Sequence, residues 1–225
     1  MNQLHQKGVV VAPQPEAAEA GLDILNAGGN AVDAAIAVAF VQGVVDPLMC
    51  GIAGFGSMAI YDPISGTHEY IDFHAPAPGV ATNDMWADLI EGEARDGFGF
   101  TLKGRVNDIG YQSICVPASL RGYATAHARH GKLPWADLLN HAISWARKGW
   151  VVRPHVDEFW SDPGTMGRVA NTERLKHTPG ARALYCRDDG SPKQTGDLVK
   201  NPDLAGTLSV IAEKGADAFY TGEIA

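Results

Sequence analysis

This sequence of 225 residues contains little cysteine and no cluster of positively charged residues. Its three cysteines, Cys50, Cys115 and Cys186, are an odd number at wide spacing, so we predict neither a disulfide framework nor a zinc site. The 18 basic residues are outnumbered by 26 acidic ones and form no cluster, which argues against a nucleic-acid partner. The first ten residues contain no long apolar run, so the sequence predicts no secretory signal and favours a cytoplasmic location with reduced thiols.

Motifs for nucleotides, metals and membranes are also missing. Residues 51–56 form a glycine-rich turn, but it precedes a predicted strand and no Walker lysine accompanies it, so close backbone packing is the simplest interpretation. His127 and His130 share a predicted helix face without an HExxH motif, and no metal site is predicted. The apolar segment 31–45 contains Asp33 and is short for a membrane span, which favours a buried helix. We therefore predict no cofactor, no metal and no membrane partner.

The remaining pattern predicts a protein of mixed helices and strands. A helix over 16–27 ends at Gly28-Gly29, because glycine adopts the left-handed cap conformation at low cost, and Asn30 is a suitable N-cap for the second helix. Alternation predicts a hairpin of strands 57–62 and 67–73, and these features together indicate an α+β fold. The other predicted elements are strands over 8–13 and 113–116, helices over 82–95, 119–130, 134–148 and 203–214, and an irregular lobe over 157–193.

Five segments, in this order, carry the most specific patterns of the chain. They are AGGNAVDAAIAV from Ala27, GIAGFGSMAIYD from Gly51, IDFHAPAP from Ile71, a helix pair that begins VPASLRGYATAHARHGKLPWADLL at Val116, and TGDLVKNPDLAGTLSVIAEKGADAFYTGEIA from Thr195. Together they resemble the γ-glutamyltranspeptidase family of N-terminal nucleophile (Ntn) hydrolases. The resemblance implies that residues 1–225 are the large-subunit portion of an αββα sandwich, incomplete at the C-terminus.

The resemblance also implies a mechanism and a partner. A single precursor cuts itself, and the threonine that becomes the first residue of the small subunit attacks an amide, with its own α-amino group as base. Backbone donors stabilise the oxyanion, and water or an amine then accepts the acyl group. The chain ends at Ala225 within the large-subunit pattern, and none of its threonines matches the nucleophile motif. We therefore expect no catalytic residue in this chain, no activity of the chain alone, and a small subunit, from the same precursor or a separate chain, as its partner.

One position departs from the family in a way that bears on the substrate. Where the resemblance implies an arginine that grips the α-carboxylate of a γ-glutamyl donor, this sequence has His74, and Ala75 replaces the acidic residue that follows. Arginine binds a carboxylate through two parallel hydrogen bonds, whereas imidazole offers one donor per nitrogen. We therefore predict that His74 binds substrate and that the substrate is a small amide other than a γ-glutamyl compound. A polar strand end without a binding role is the alternative for this residue.

Two other functions fit the same sequence. The first is a true γ-glutamyl transferase or glutathione hydrolase that tolerates His74, and the amide that acylates the enzyme distinguishes it from the leading hypothesis. The second is a non-catalytic truncated homologue that folds or binds a partner. That hypothesis predicts no second subunit and no amide hydrolysis.

Overall fold

The computed structural model describes residues 8–225, which fall into two compact units. The first unit consists of the chain up to Ala75 together with Pro117–Gly149 and Asn201–Ala225. The second unit consists of Pro76–Val116 and Trp150–Lys200. Each unit is therefore assembled from segments that are distant in sequence.

Helices and strands are mixed along the described chain. The α-helices are α1 Pro15–Asn26, α2 Ala31–Val45, α3 Ser119–His130, α4 Asn140–Lys148, α5 Pro154–Trp160, α6 Asn171–Lys176, α7 Pro179–Tyr185, α8 Pro202–Lys214 and α9 Asp217–Thr221. The strands are β1 Gly56–Asp62, β2 Thr67–Phe73, β3 Ile90–Glu93, β4 Phe100–Leu102, β5 Trp150–Val151 and β6 Leu198–Val199. Within residues 8–225 the strands form three antiparallel pairs, β1 with β2, β3 with β4 and β5 with β6.

The first two helices supply much of the core of the first unit. Pro15 occupies the first turn of α1, where its missing N–H costs nothing. Asn30 caps α2 by accepting the backbone N–H groups of Val32 and Asp33, and the Asp33 carboxylate accepts the N–H of Asn30 in return. α2 packs against α1 on one side and α4 on another, and Phe40 at its middle is 1% exposed. Burial on several sides explains why this helix is apolar all round.

The β1–β2 hairpin lies against α3 in the same unit. The strands pair from Gly56 opposite Phe73 to Asp62 opposite Thr67. Alternation puts every second residue of β2, including Phe73, on the buried face. α3 lies close against this face at Gly122, where a Cβ atom would lie 2.3 Å from Cγ of Phe73. Glycine at this position therefore provides the space into which the Phe73 ring packs.

Ion pairs connect the loops of the second unit. Arg168 donates from Nε and Nη2 to the two carboxylate oxygens of Asp96, at 2.6 and 3.0 Å. Asp108 pairs with Arg174 and also accepts the backbone N–H of Val169 at 2.6 Å. These contacts join α6 and the residues before it to the loops on either side of β4.

Three predicted elements are wrong. Residues 113–116 form no strand, because Ser113 ends a 3₁₀ turn and no strand of the described chain pairs with the residues that follow it. Residues 8–13 form no strand, and Val9 and Val11 are 86% and 87% exposed, because no strand in the described chain lies beside them to share hydrogen bonds. Residues 82–95 form turns, a 3₁₀ segment and β3 instead of a helix. Their apolar side chains find little core to cover, as the 43% exposure of Met85 illustrates.

The other predicted elements are found with adjusted boundaries. The hairpin and the helices predicted over 16–27, 119–130 and 203–214 are confirmed as β1–β2, α1, α3 and α8. The helix predicted over 134–148 is a 3₁₀ segment at Trp135–Leu139 followed by α4. Residues 157–193, predicted as an irregular lobe, contain the end of α5, together with α6 and α7, and belong to the second unit.

Candidate functional site

The glycine-rich turn lies between α2 and β1 and is held against the start of α3. The carbonyl oxygen of Gly54 accepts the backbone N–H groups of Ala118 and Ser119, at 2.9 and 3.0 Å. A Cβ on Gly54 would lie 3.3 Å from Oγ of Ser119, and one on Gly43 of α2 would lie 3.4 Å from Cα of Gly51. The close approach of these backbones explains the small residues here, and it fixes the position of the turn.

The predicted substrate-binding residue, His74, follows β2 directly. Strand alternation buries Phe73 and leaves Asp72 and His74 exposed. The Asp72 carboxylate accepts the backbone N–H of His74 at 2.9 Å, and the same oxygen lies 3.5 Å from Nδ1 of the imidazole. The two side chains are 71% exposed for His74 and 65% for Asp72. Asp72 therefore fixes the end of the strand and places a negative charge beside the imidazole.

Phe55 brings the glycine-rich turn into contact with His74. The centroids of the two rings are 5.1 Å apart and their planes are tilted by 42°. Phe55 is 60% exposed, so much of its ring is open to a bound molecule. Sequence reasoning missed this residue. The available signal is a bulky aromatic side chain between Gly54 and Gly56, where turn chemistry favours small residues.

Asp72 also lies on the wall of a groove of about 320 Å³ between β2 and α3. Arg121 and Arg129 of α3 line the same groove. Both guanidinium groups are already paired with carboxylates, since Arg121 donates to Asp217 at 2.6 Å and Arg129 pairs with Glu69. Among the described residues that line the groove, both arginines are therefore compensated by an acidic partner.

The histidines and the cysteine considered as metal ligands or as a nucleophile have contacts that favour structural roles. Nε2 of His127 lies 2.8 Å from the carbonyl oxygen of Leu133, and His130 pairs with a glutamate of β2. Residues 8–225 contain no group of three or more His, Cys, Asp or Glu side chains that could hold a metal. Burial, and then the carboxylate of Asp46, raise the pKa of the Cys50 thiol, which disfavours the thiolate that a cysteine nucleophile requires.

Comparison with known proteins shows the family of this chain. A family model described as gamma-glutamyltranspeptidase matches residues 17–225. The chain belongs to the γ-glutamyltranspeptidase family. Among curated γ-glutamyltranspeptidase relatives, the acylase ACY 1 proenzyme of Pseudomonas sp. (strain SE83) is 37% identical over 220 residues, which are 97% of this chain and 37% of the acylase. The glutathione hydrolase proenzyme of Pseudomonas sp. (strain A14) is 34% identical over 221 residues, 98% of this chain and 35% of that protein.

A solved γ-glutamyltranspeptidase structure agrees with this chain in fold. This chain matches the crystal structure of Helicobacter pylori γ-glutamyltranspeptidase with a TM-score of 0.82 and 28% sequence identity. The match covers 97% of this chain and 57% of the Helicobacter pylori chain. The predicted α+β fold, the large-subunit part of an Ntn-hydrolase αββα sandwich, is confirmed. The chain spans about a third of the length of the two curated relatives. Between residues 8 and 225, every helix is too short or too polar to cross a membrane.

Proposed function

We propose that this γ-glutamyltranspeptidase-family chain is the large-subunit portion of an amide hydrolase whose threonine nucleophile lies on a second subunit. We further propose that its substrate is a small amide other than a γ-glutamyl compound. The observation that carries the proposal is the exposed His74 at the end of β2, where the family resemblance implies an arginine. The relatives are proenzymes, which supports processing into subunits, and one of them is an acylase, which supports amides beyond glutathione.

The proposed reaction is acyl transfer through a covalent intermediate. The threonine hydroxyl oxygen bonds to the amide carbonyl carbon, and its proton passes to the α-amino group of the same threonine. Backbone N–H donors hold the oxyanion of the tetrahedral intermediate. The C–N bond then breaks, the departing amine takes that proton, and an ester acyl-enzyme remains. Water adds to the ester by the same route, which releases the carboxylic acid and restores the threonine.

His74 determines what this chain contributes to the reaction, which is recognition of the acyl group. An arginine binds a donor carboxylate through two parallel hydrogen bonds. Nδ1 of His74 lies 3.5 Å from the Asp72 carboxylate, so one ring nitrogen remains for a ligand. A γ-glutamyl donor therefore loses bidentate recognition of its α-carboxylate at this position.

The second subunit is tested by intact-mass analysis, under denaturing conditions, of the protein purified from its native source. We expect two chains, and N-terminal sequencing of the smaller one should begin at threonine. A single species ending at Ala225 that hydrolyses no amide would contradict the proposal and favour the non-catalytic homologue.

Cell fractionation before purification tests the proposed cytoplasmic location, which the three free cysteines support.

The donor is tested with γ-glutamyl-p-nitroanilide and a His74→Arg variant of the processed enzyme. We expect slow hydrolysis by the wild type and an increase of kcat/KM by about 10- to 100-fold in His74→Arg, because hydrogen bonds to charged groups contribute about 1.5–3 kcal/mol. His68→Arg is the matched control, since it adds the same charge on the exposed side of β2, the strand that His74 follows, and it should leave kcat/KM unchanged.

The second candidate function is a true γ-glutamyl transferase or glutathione hydrolase, which the similarity to a glutathione hydrolase proenzyme favours. It predicts efficient cleavage of the γ-glutamyl anilide by the wild type and no gain in His74→Arg. That combination would overturn the proposed donor class while leaving the Ntn mechanism in place.

A further inference from the structure

We propose that Phe55 determines the specificity of this site, and that Phe55 and His74 together bind the uncharged aromatic or apolar acyl group of the donor amide. The inference rests on the proposed function, because it names the substrate class of the same site. It begins from a contact that the sequence does not predict, the 5.1 Å separation of the two ring centroids.

The two rings form an open surface instead of a packed pair in the core. Phe55 is 60% exposed and the His74 side chain is 71% exposed. Phe73, the residue before His74, is instead packed against α3 and only 9% exposed. When a ligand covers exposed aromatic surface, the burial favours binding by about 25 cal/mol per Å². With the ring planes 42° apart, the pair presents an angled aromatic wall that favours a flat or apolar partner.

The backbone holds this wall in place before any ligand binds. Phe55 follows Gly54, whose carbonyl oxygen accepts two N–H groups from the start of α3, and precedes Gly56, which pairs with Phe73 across the hairpin. His74 is held by the hydrogen bond from its N–H to the neighbouring aspartate at 2.9 Å. A preorganised surface loses little conformational entropy on binding, so its aromatic area is available for affinity.

The charges around the wall disfavour an anionic acyl group. Oδ1 of Asp72 lies 3.5 Å from the His74 imidazole, so a ligand carboxylate bound to that ring would meet a like charge. The two arginines of the adjacent groove are paired with Asp217 and Glu69 and so are already compensated. Glutamyl and glutaryl groups carry a carboxylate at the end remote from the scissile amide. An acyl group with no charge at that end fits the aromatic wall without this repulsion.

The test compares three p-nitroanilides with the processed two-subunit enzyme: phenylacetyl, glutaryl and γ-glutamyl. We expect kcat/KM to be roughly tenfold higher for the phenylacetyl compound than for the other two. Phe55→Ala should lower kcat/KM for the phenylacetyl compound by roughly tenfold, mainly through KM, and change the other two by less than about twofold. Phe55→Leu keeps an apolar wall and should lose about threefold. Phe98→Ala is the matched control, the same truncation at a phenylalanine that is 84% exposed, and should change nothing.

The outcomes separate the inference from the function on which it rests. A preference for the glutaryl compound, or an equal loss on all three anilides in Phe55→Ala, would overturn the inference alone. A preference for the γ-glutamyl compound would overturn the proposed donor class as well. Hydrolysis of none of the three would overturn the inference, whereas the proposed function is overturned only if intact-mass analysis also finds no second chain that begins at threonine. If Phe55→Ala does not fold, Phe55→Leu decides, because a loss restricted to the phenylacetyl compound supports the inference and an equal loss overturns it.

Discussion

The carboxylate of Asp33 joins two segments of the first unit that are about 100 residues apart. It is fully buried and accepts the backbone N–H groups of Asn30, Lys132 and Leu133, at 3.0 to 3.3 Å. The bond to Asn30 follows from the sequence, because their spacing is that of a helix capping box. The bonds to Lys132 and Leu133 do not follow, because they depend on how the turn after α3 approaches the start of α2.

Asp33→Ala is expected to destabilise the protein by about 3 kcal/mol, because three backbone donors lose a charged acceptor in a buried site. Urea unfolding of the purified protein measures the change. Asp188→Ala is the control, since that aspartate is exposed in a turn, and we expect an effect below about 0.5 kcal/mol there. Equal effects of the two substitutions would contradict the role assigned to Asp33.

The proposed donor site illustrates what one sequence reveals about single residues. His74 can be found from sequence, because it departs from a motif that the rest of the chain follows. Its ring partner Phe55 cannot be paired with it from sequence, since the contact crosses from the turn before β1 to the end of β2. The hairpin register, with Gly56 opposite Phe73, brings the two neighbours together. Register is a property of the folded hairpin and not of either segment alone.

Among the helices, two glycines in helix interiors have opposite surroundings. A Cβ on Gly122 in α3 would meet the Phe73 ring at 2.3 Å, whereas a Cβ on Gly206 in α8 would meet no atom within 4 Å. Gly122→Ala is therefore expected to destabilise the protein by about 2 kcal/mol through overpacking. Gly206→Ala should stabilise it by about 0.5–1 kcal/mol, since alanine loses less entropy in a helix. Urea unfolding of both variants checks the signs.

One result for Gly122→Ala and Gly206→Ala would contradict the role of Gly122 in packing. If both substitutions stabilise the protein equally, α3 and the hairpin can separate without cost, and the packing of Phe73 against α3 does not hold the hairpin. Phe73→Leu in the Gly122→Ala background provides a second measurement. The smaller side chain should recover part of the lost stability if the clash is the cause.

Elements with their own local signals are the ones that the sequence predicts correctly. α2 has the Asn30 cap and a long apolar run, and β1 and β2 alternate around a tight turn. The strand predicted over 8–13 is wrong because β-branched residues favour a strand only beside another strand. The helix predicted over 82–95 is wrong because most of its apolar residues, Met85 and Ile90 among them, have little core to cover within the second unit. Both failures arise from tertiary surroundings that local patterns do not contain.

Over the whole molecule, carboxylates outnumber basic groups and give a net charge of −8. Several of them have a pKa below the ordinary value in the folded protein: Asp62, Glu69, Asp96, Asp189 and Asp197. The pKa of Glu69 is lowered by hydrogen bonds from His130 and then Arg129, and that of Asp96 by the Arg168 guanidinium. These groups lie in both units, so acid should weaken both.

The sign of this pH dependence follows from proton linkage. A carboxyl group with a lowered pKa in the folded state binds fewer protons there than in the unfolded chain. Its contribution to stability is therefore complete above the unfolded pKa, about 4.3 for glutamate and 3.9 for aspartate, and is lost as the pH falls through the folded pKa. We expect the free energy of unfolding, measured with urea from about pH 7 to about pH 3, to decrease only at the acidic end. Glu69→Gln should make that decrease less steep.

Glu91→Gln is the matched control for this measurement, because Glu91 is exposed on β3 and forms no ion pair within the described part of the chain. It should leave the slope of stability against pH unchanged, while Glu69→Gln lowers stability near neutral pH and flattens the acidic limb. If the two variants show the same slope as the wild type, the contacts of Glu69 with His130 and Arg129 contribute nothing to acid stability. The pairing that compensates Arg129 at the groove would then be too weak to exclude it from binding an anion.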